Sequence, residues 1–139
     1  MNAFHFLFRI PFHEVDAAGV MFHAHLFSHA HDAYSALMQE FGQDLKTLLR
    51  EGTYLVPLVH AEADFKRPME LDDEIRIELQ ALPPGSSSMG FRYRFNKGDQ
   101  LCATAVTRHV FLDRNSRKPV ALPPELKKQL QAFPDRTPA

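Results

Sequence analysis

The chain has 139 residues, 45% hydrophobic and 24% charged, which is the composition of a single globular domain that can bury a core. With 16 Lys and Arg against 17 Asp and Glu, the net charge of −1 excludes the basic surplus that a nucleic-acid interface needs. The single cysteine, Cys102, excludes an intrachain disulfide framework, and its apolar surroundings favour a small buried residue over a catalytic thiol.

The first predicted element is a β-strand near the N-terminus. Large apolar residues occupy every second position there: Phe4, Phe6, Phe8, Ile10 and Phe12. A period of two is typical of a strand with one apolar face. Residues 1–12 also lack a signal-peptide pattern and the roughly 20 apolar residues of a membrane helix. We therefore expect a cytoplasmic protein without a membrane span.

A long helix is predicted over residues 23–41. Its apolar residues recur at steps of one, three and four, which forms one stripe along the helix: Leu26, Phe27, Ala30, Ala33, Tyr34, Leu37, Met38 and Phe41. Gly42 follows at the position where a left-handed residue commonly ends a helix. At 1.5 Å per residue this helix spans roughly 28 Å, which is enough to cross a whole sheet.

The remaining chain predicts two short helices, at residues 44–51 and 123–133, and four more strands. The strands are expected where apolar residues alternate or run continuously, at residues 54–65, 74–82, 89–95 and 101–112. One striped helix needs a sheet to cover it, so the elements predict an α+β domain with an antiparallel sheet wrapped around one long central helix. The open edges of such a sheet favour dimerisation through an edge strand.

A distinctive motif joins the first strand to the long helix. An aspartate is followed by small residues including a glycine, two apolar residues, an aromatic residue and the residue that opens the helix: Asp16, Ala17, Ala18, Gly19, Val20, Met21, Phe22 and His23. This run resembles the signature of the 4-hydroxybenzoyl-CoA thioesterase family of hotdog proteins. Residues 63–68, 71–74 and 119–123 are similar to later segments of the family, so the resemblance covers nearly the whole chain.

Two branches of that family are most similar. One contains short-chain acyl-CoA thioesterases encoded beside the Tol–Pal system, which share His23. The other contains 1,4-dihydroxy-2-naphthoyl-CoA hydrolases, whose sequences are similar to the His-Asp-Ala-Tyr stretch at residues 31–34. The resemblance therefore implies one hotdog domain over residues 1–139 that hydrolyses a short-chain or aromatic acyl-CoA to the free acid and coenzyme A.

The resemblance also implies roles for individual residues. Asp16 is the expected nucleophile or general base, and the backbone N–H of His23 is expected to polarise the thioester carbonyl, to which the His23 side chain could add a hydrogen bond. The residues expected to bind substrate are Gly19, Val20, Phe22, His60, Arg92 and Arg94. The family needs no metal and no cofactor, since coenzyme A is part of the substrate, and it forms homodimers or homotetramers with the active site between subunits.

Physical chemistry supports the same roles. Thioester hydrolysis needs a base or nucleophile, and it needs donors for the negative charge that develops on the carbonyl oxygen. A helix that begins near His23 offers free backbone N–H groups and the positive end of its dipole. Gly19 lets the backbone approach a ligand closely. Asp16 lies too far before the helix to act as its N-cap, which favours a functional role.

Other polar residues have simpler interpretations. Glu14 is expected to be a solvated neighbour of Asp16, and it is the second candidate for the working carboxylate. His25 and His29 have the spacing of two metal ligands on a helix, but no third ligand completes a set. His29 and His31 are therefore expected on the polar face of the helix or at a dimer contact. His60 is expected in mid-strand near the inferred pocket, where a buried core histidine is favoured over a catalytic one.

Two other functions remain open on the same fold. A hydratase or dehydratase of acyl thioesters would need a histidine and a carboxylate that face the acyl Cα–Cβ bond, and no such paired motif is evident. A non-catalytic protein that binds acyl-CoA or acyl-carrier protein would not need the intact motif around Asp16. Release of free thiol from a panel of acyl-CoA substrates would distinguish all three.

Overall fold

The computed structural model describes residues 3–133, apart from the side chain at position 49. Seven strands and three α-helices follow one another along the chain. The strands are β1 (Phe4–Arg9), β2 (Tyr54–Leu55), β3 (Leu58–Phe65), β4 (Glu74–Ala81), β5 (Ser88–Lys97), β6 (Gln100–Val110) and β7 (Leu112–Asp113). The helices are α1 (His25–Glu40), α2 (Leu45–Glu51) and α3 (Pro124–Leu130).

Five of the strands form one antiparallel sheet in the order β1-β4-β5-β6-β3. This confirms the predicted antiparallel sheet. The strands β4, β5 and β6 follow one another in sequence and lie side by side because short turns connect them. The strands β1 and β3 pair with β4 and β6 and form the two edges of this sheet.

The helix α1 has 16 residues and is shorter than predicted, since it begins at His25 and ends at Glu40. Its start is delayed because the N–H of His25 donates to the carbonyl of Phe22, a bond over three residues that makes a tighter turn. Its end agrees with the prediction. Gly42 has φ +73°, and the N–H of Gln43 donates to the carbonyl of Met38, which is the hydrogen bond of a Schellman cap.

The core lies between α1 and one face of the sheet. Tyr34 and Leu37 of α1 are buried there together with alternate residues of β5, namely Phe91, Tyr93 and Phe95. The rings of Tyr34 and Phe91 have centroids 5.3 Å apart. Cys102 is also buried, as predicted. The period of two in β5 thus places its aromatic residues on the helix side and its arginines on the outer face.

The prediction of one strand over residues 54–65 is wrong. The chain forms β2, which pairs with β7, and then β3, which pairs with β6. Pro57 lies at the break because proline has no N–H for a continuous ladder, although its carbonyl still accepts from the N–H of Val110. No helix among residues 3–133 is long and apolar enough to span a membrane.

Candidate active site

Asp16 opens a tight turn on the surface between β1 and α1. Its Oδ1 accepts hydrogen bonds from the N–H groups of Ala18, at 2.9 Å, and Val20, at 3.2 Å. Its own N–H donates to the carbonyl of Val20 at 2.9 Å. No residue in the described part of the chain donates a hydrogen bond to Oδ2. The turn therefore fixes the carboxylate through one oxygen and leaves the other for a ligand.

Gly19 closes this turn with φ +77°, in the left-handed region. A Cβ atom at this position would meet no atom within 4 Å. The sequence suggested a close approach of the backbone to a ligand, but within the chain it is the backbone angle that requires glycine. The carbonyl of Gly19 accepts from the N–H of Leu71 at 2.9 Å, which pins the turn to the neighbouring segment.

The start of α1 supplies uncommitted backbone donors beside the turn. The N–H of Phe22 donates to the carbonyl of Glu14 at 2.8 Å, and the N–H of His25 donates to the carbonyl of Phe22. Between them, the N–H groups of His23 and Ala24 make no hydrogen bond to any of residues 3–133, and both residues are exposed. The positive end of the helix dipole thus presents two N–H groups to a ligand.

A cavity of about 250 Å³ adjoins the turn. It is lined by Val20 and Met21 from the motif and by residues 65–69, which include Lys66 and Arg67. The N–H of Met21 donates to the carbonyl of Met69 at 2.8 Å and fixes the two walls together. Val20 therefore lines this cavity together with two exposed basic side chains.

Glu14 is buried, so the prediction of a solvated side chain is wrong. Its Oε1 accepts a hydrogen bond from Nε2 of His29 at 2.6 Å. The ring of His29 stacks on Phe8, with centroids 3.8 Å apart and planes 11° apart. His29 was expected on the polar face or at a dimer contact and is also buried. Among the described residues, no three His, Cys, Asp or Glu side chains are grouped to hold a metal.

A second cavity lies under α1 and reaches the sheet. One part of about 200 Å³ and an adjoining part of about 140 Å³ share the side chains of His31, Val56 and His109. Tyr34 also lines it, and its ring stacks on His109 with centroids 4.5 Å apart. Burial lowers the pKa of His109 to about 4, so this imidazole is neutral at pH 7.

Two buried polar atoms at this second cavity have no hydrogen-bond partner within residues 3–133. They are Oη of Tyr34 and Nδ1 of His109. Buried polar groups normally find a partner, so a ligand that enters the cavity could supply one. The sequence places Tyr34 in the apolar stripe that predicts the long helix. It gave no signal for His109, because that residue lies on β6, far along the chain.

Three of the residues predicted to bind substrate lie on strands of the sheet and not in the motif: His60, Arg92 and Arg94. His60 is on the edge strand β3, where Nε2 contacts Oε1 of Glu62 at 3.1 Å. It is exposed, so the expectation of a core histidine is wrong, and the edge position of β3 is the reason. Arg92 and Arg94 are half-buried on the outer face of β5, opposite the aromatic residues, as their alternation predicted. Nη1 of Arg94 donates to Oε1 of Gln80 at 2.8 Å.

Phe22 is half-exposed next to the uncommitted N–H groups. Its ring is tilted against the ring of His23, with centroids 4.5 Å apart. Phe22 and His23 thus lie together at the start of α1, and Asp16, Gly19 and Val20 belong to the turn that precedes it.

Comparisons with known proteins agree on one family. The family model described as the thioesterase-like superfamily matches residues 10–130. The 1,4-dihydroxy-2-naphthoyl-CoA hydrolase of Synechococcus elongatus is 38% identical over 127 residues, which cover 91% of this chain and 93% of that protein. A second such hydrolase, from Picosynechococcus, is 36% identical over 127 residues and 87% of each chain.

Solved structures share the fold. The 1,4-dihydroxy-2-naphthoyl-CoA thioesterase from Synechocystis superposes with a TM-score of 0.88 at 24% identity, over 94% of this chain and 96% of that one. A gentisyl-coenzyme A thioesterase superposes with a TM-score of 0.81 at 20% identity, over 91% and 98% of the two chains. The architecture is therefore that of the hotdog thioesterases.

Proposed function

This chain belongs to the thioesterase-like superfamily and is an acyl-CoA thioesterase, and from that premise we propose that it hydrolyses a hydroxylated aromatic acyl-CoA with Asp16 as its catalytic carboxylate. The observation that carries the proposal is the pairing of chemical groups at the motif. A carboxylate with one uncommitted oxygen lies in the same turn that leads into two uncommitted N–H groups. Acyl transfer needs both a nucleophile or base and an oxyanion site.

The proposed reaction begins when the thioester carbonyl oxygen accepts hydrogen bonds from the N–H groups of His23 and Ala24. Along one route, Oδ2 of Asp16 attacks the carbonyl carbon, the C–S bond breaks and coenzyme A leaves as its thiolate. Water then hydrolyses the mixed anhydride. Along the other route, Asp16 takes a proton from the water that attacks the same carbon. The bonds that hold Oδ1 orient the carboxylate for either route.

The second cavity supports an aromatic acyl group. Its lining is mostly aromatic and aliphatic, and its polar atoms without a partner are the Tyr34 hydroxyl and Nδ1 of His109. A ring that carries a hydroxyl group could fill the space and satisfy these atoms, whereas an unbranched alkyl chain would leave them unpaired. The names of the related hydrolases, which act on a dihydroxynaphthoyl thioester, favour the same class of substrate.

We further propose that the active form is a homodimer or larger oligomer joined through β3. This strand is an edge of the sheet and exposes three large apolar residues, Leu58, Val59 and Phe65. An exposed apolar edge strand is a ready site for pairing with a second copy. Such pairing would bring His60 of the partner subunit to the interface and would cover apolar surface that water otherwise meets.

The test is release of free thiol from a panel of acyl-CoA substrates by the wild type and by Asp16→Asn. We expect hydroxyaryl substrates to give the highest kcat/KM, and Asp16→Asn to lower kcat by about 100-fold or more, since the amide is neither nucleophile nor base. Circular dichroism should show an unchanged fold, because the amide oxygen can still accept from Ala18 and Val20. A folded variant with wild-type turnover would refute the assigned role of Asp16.

The same panel separates the alternatives. A hydratase would change the absorbance of an enoyl substrate without releasing thiol, and a binding protein would bind acyl-CoA without turnover. Highest kcat/KM on short unbranched acyl groups would contradict the aromatic substrate and leave the thioesterase activity in place.

A further inference from the structure

We propose that the buried hydrogen bond between Glu14 and His29 positions the catalytic turn on helix α1, and that both residues are positioning residues for hydrolysis. The inference rests on the proposed function of Asp16. Glu14 is 8% exposed and His29 is 9% exposed, and neither belongs to the catalytic motif. Ionisable side chains are seldom this buried unless they are paired, so the bond is a built feature of the fold.

Glu14 and His29 belong to the two parts of the proposed site that must be aligned, the turn that holds Asp16 and the helix α1. Glu14 lies two residues before Asp16. The residue between them, Val15, pairs with Met21 across the base of the turn. His29 lies in the second turn of α1, the helix whose start carries the N–H group of His23. A bond of 2.6 Å across fifteen residues therefore joins the base of the turn to the body of the helix.

Other contacts hold the turn without fixing it to the body of the helix. The carbonyl of Gly19 and the N–H of Met21 bond to the backbone of residues 69–71, which keeps the turn folded against that segment. The N–H of Phe22 bonds to the carbonyl of Glu14, but Phe22 precedes the first helical turn. The side-chain bond reaches further along α1, and the stack of His29 on Phe8 fixes its ring against β1.

Loss of this bond should reduce catalysis more than binding. Glu14 makes a second, longer contact from Oε2 to the exposed His13 ring at 3.8 Å, so its carboxylate is held between two histidines. A shift of the turn relative to α1 would change the separation between the Asp16 carboxylate and the His23 N–H. Misplacement of about 1 Å can lower the rate by about 100-fold, while substrate affinity depends on more distant contacts.

The experiment is a double-mutant cycle with Glu14→Ala, His29→Ala and the double variant, assayed with a hydroxyaryl-CoA thioester. We expect each single variant to lower kcat by about 10- to 100-fold with KM changed less than about threefold. The double variant should be no slower than the slower single variant, because all three lack the same bond. Glu14→Gln should keep kcat within about fivefold of the wild type, since its amide oxygen can still accept from His29.

Met38→Ala is the stability control. This residue is fully buried near the other end of α1 and outside the proposed site. If Met38→Ala lowers the melting temperature as much as Glu14→Ala and His29→Ala do, it should still keep kcat near the wild-type value. The two alanine variants of the pair should not. If the alanine variants do not fold at the assay temperature, His29→Phe replaces them, since it keeps a ring against Phe8 but has no donor for Glu14.

Three results would overturn the inference: wild-type kcat in a folded variant that lacks the bond (Glu14→Ala, His29→Ala or His29→Phe), additive losses in the cycle, or an equal loss of kcat in Met38→Ala. Asp16→Asn is assayed beside them. If Asp16→Asn is inactive and the pair variants are fully active, only the positioning role fails. If Asp16→Asn is fully active, the proposed function fails first.

Discussion

Two carboxylates that are two positions apart have opposite environments. Asp16 is exposed and held through Oδ1 by backbone N–H groups, which leaves Oδ2 for a ligand. Glu14 is buried and bonded to His29. Sequence spacing cannot separate such neighbours, because both could belong to one strand face. The turn that begins at Asp16 separates them, and the family resemblance names Asp16 as the candidate catalytic carboxylate.

The first prediction at the residue scale concerns Tyr34. Tyr34→Phe should lower kcat/KM for a hydroxyaryl-CoA by about tenfold, which is the value of one hydrogen bond to the substrate hydroxyl. The unhydroxylated aryl-CoA should be affected little, and the melting temperature should not fall, since no described residue bonds to this hydroxyl. The measurement is the ratio of kcat/KM for the two substrates.

Tyr93→Phe is the matched control, because the Tyr93 hydroxyl is bonded to the Thr107 hydroxyl at 2.8 Å. This variant should lose stability of about 1 kcal/mol and keep the wild-type ratio between substrates. Equal ratios for Tyr34→Phe and wild type would mean that the substrate ring lies elsewhere.

The second prediction at this scale concerns Arg92 and Arg94. Both lie on the outer face of β5, where coenzyme A phosphates would emerge. Replacement of either residue by alanine should raise KM for acyl-CoA and change kcat little, because this binding is equal in the ground and transition states. The effect should shrink as salt rises and vanish for an acyl-pantetheine substrate. An unchanged KM at low salt would direct attention to Lys66 and Arg67, which line the cavity beside the motif.

At the scale of elements, the proposed active site lies where the turn that begins at Asp16 meets the start of α1. The turn ends in a glycine with φ +77°, and α1 ends in another glycine with φ +73°. Neither glycine has an atom within 4 Å of the position that a Cβ would take. The two sites therefore have the same conformational requirement, and one of them is remote from the proposed chemistry.

Gly19→Ala and Gly42→Ala should each destabilise the protein by about 1 kcal/mol, because an L-residue is strained in the left-handed region. Only Gly19→Ala should also lower kcat, since it distorts the turn that holds Asp16. Thermal unfolding and single-substrate kinetics on both variants give the comparison. An equal effect of both variants on kcat would show that the turn has no special role beyond folding.

At the scale of the whole molecule, both edge strands of the sheet expose apolar side chains, and we propose that β3 is the edge that joins two subunits. Val59 on β3 is 58% exposed, and Leu7 on the opposite edge strand β1 is 63% exposed. Val59→Lys should shift the protein toward monomer, because a charge on an edge strand opposes pairing. The monomer should lose activity if the site needs both subunits. Light scattering combined with the thiol-release assay measures both effects.

Leu7→Lys is the control for the other edge and should leave the oligomer and its activity unchanged. If Leu7→Lys became monomeric and Val59→Lys did not, the interface would lie at β1 and not at β3. A wild-type protein that is monomeric and active at micromolar concentration would contradict the proposed assembly altogether.

The sequence by itself determined most of the elements and the motif that we propose to be catalytic. Period-two alternation defined β1, β4 and β5, the apolar stripe and Gly42 defined α1 and its end, and the run from Asp16 to His23 identified the family. These features depend on residues a few positions apart, whose geometry the backbone fixes locally. Pro57 was also a local signal for the break between β2 and β3. The prediction of one strand followed the apolar residues on both sides of Pro57 and ignored its missing N–H.

Only the tertiary structure decided which polar residues are buried and what they meet. The bond between Glu14 and His29, the stack of Tyr34 on His109 and the exposure of His60 each depend on elements that are distant along the chain. Burial is a property of packed neighbours, and a one-dimensional pattern gives the face of a strand or helix but not the partner that covers it. The sequence therefore supplied the candidate catalytic residues, whereas the cavities and the buried pair are visible only in the fold.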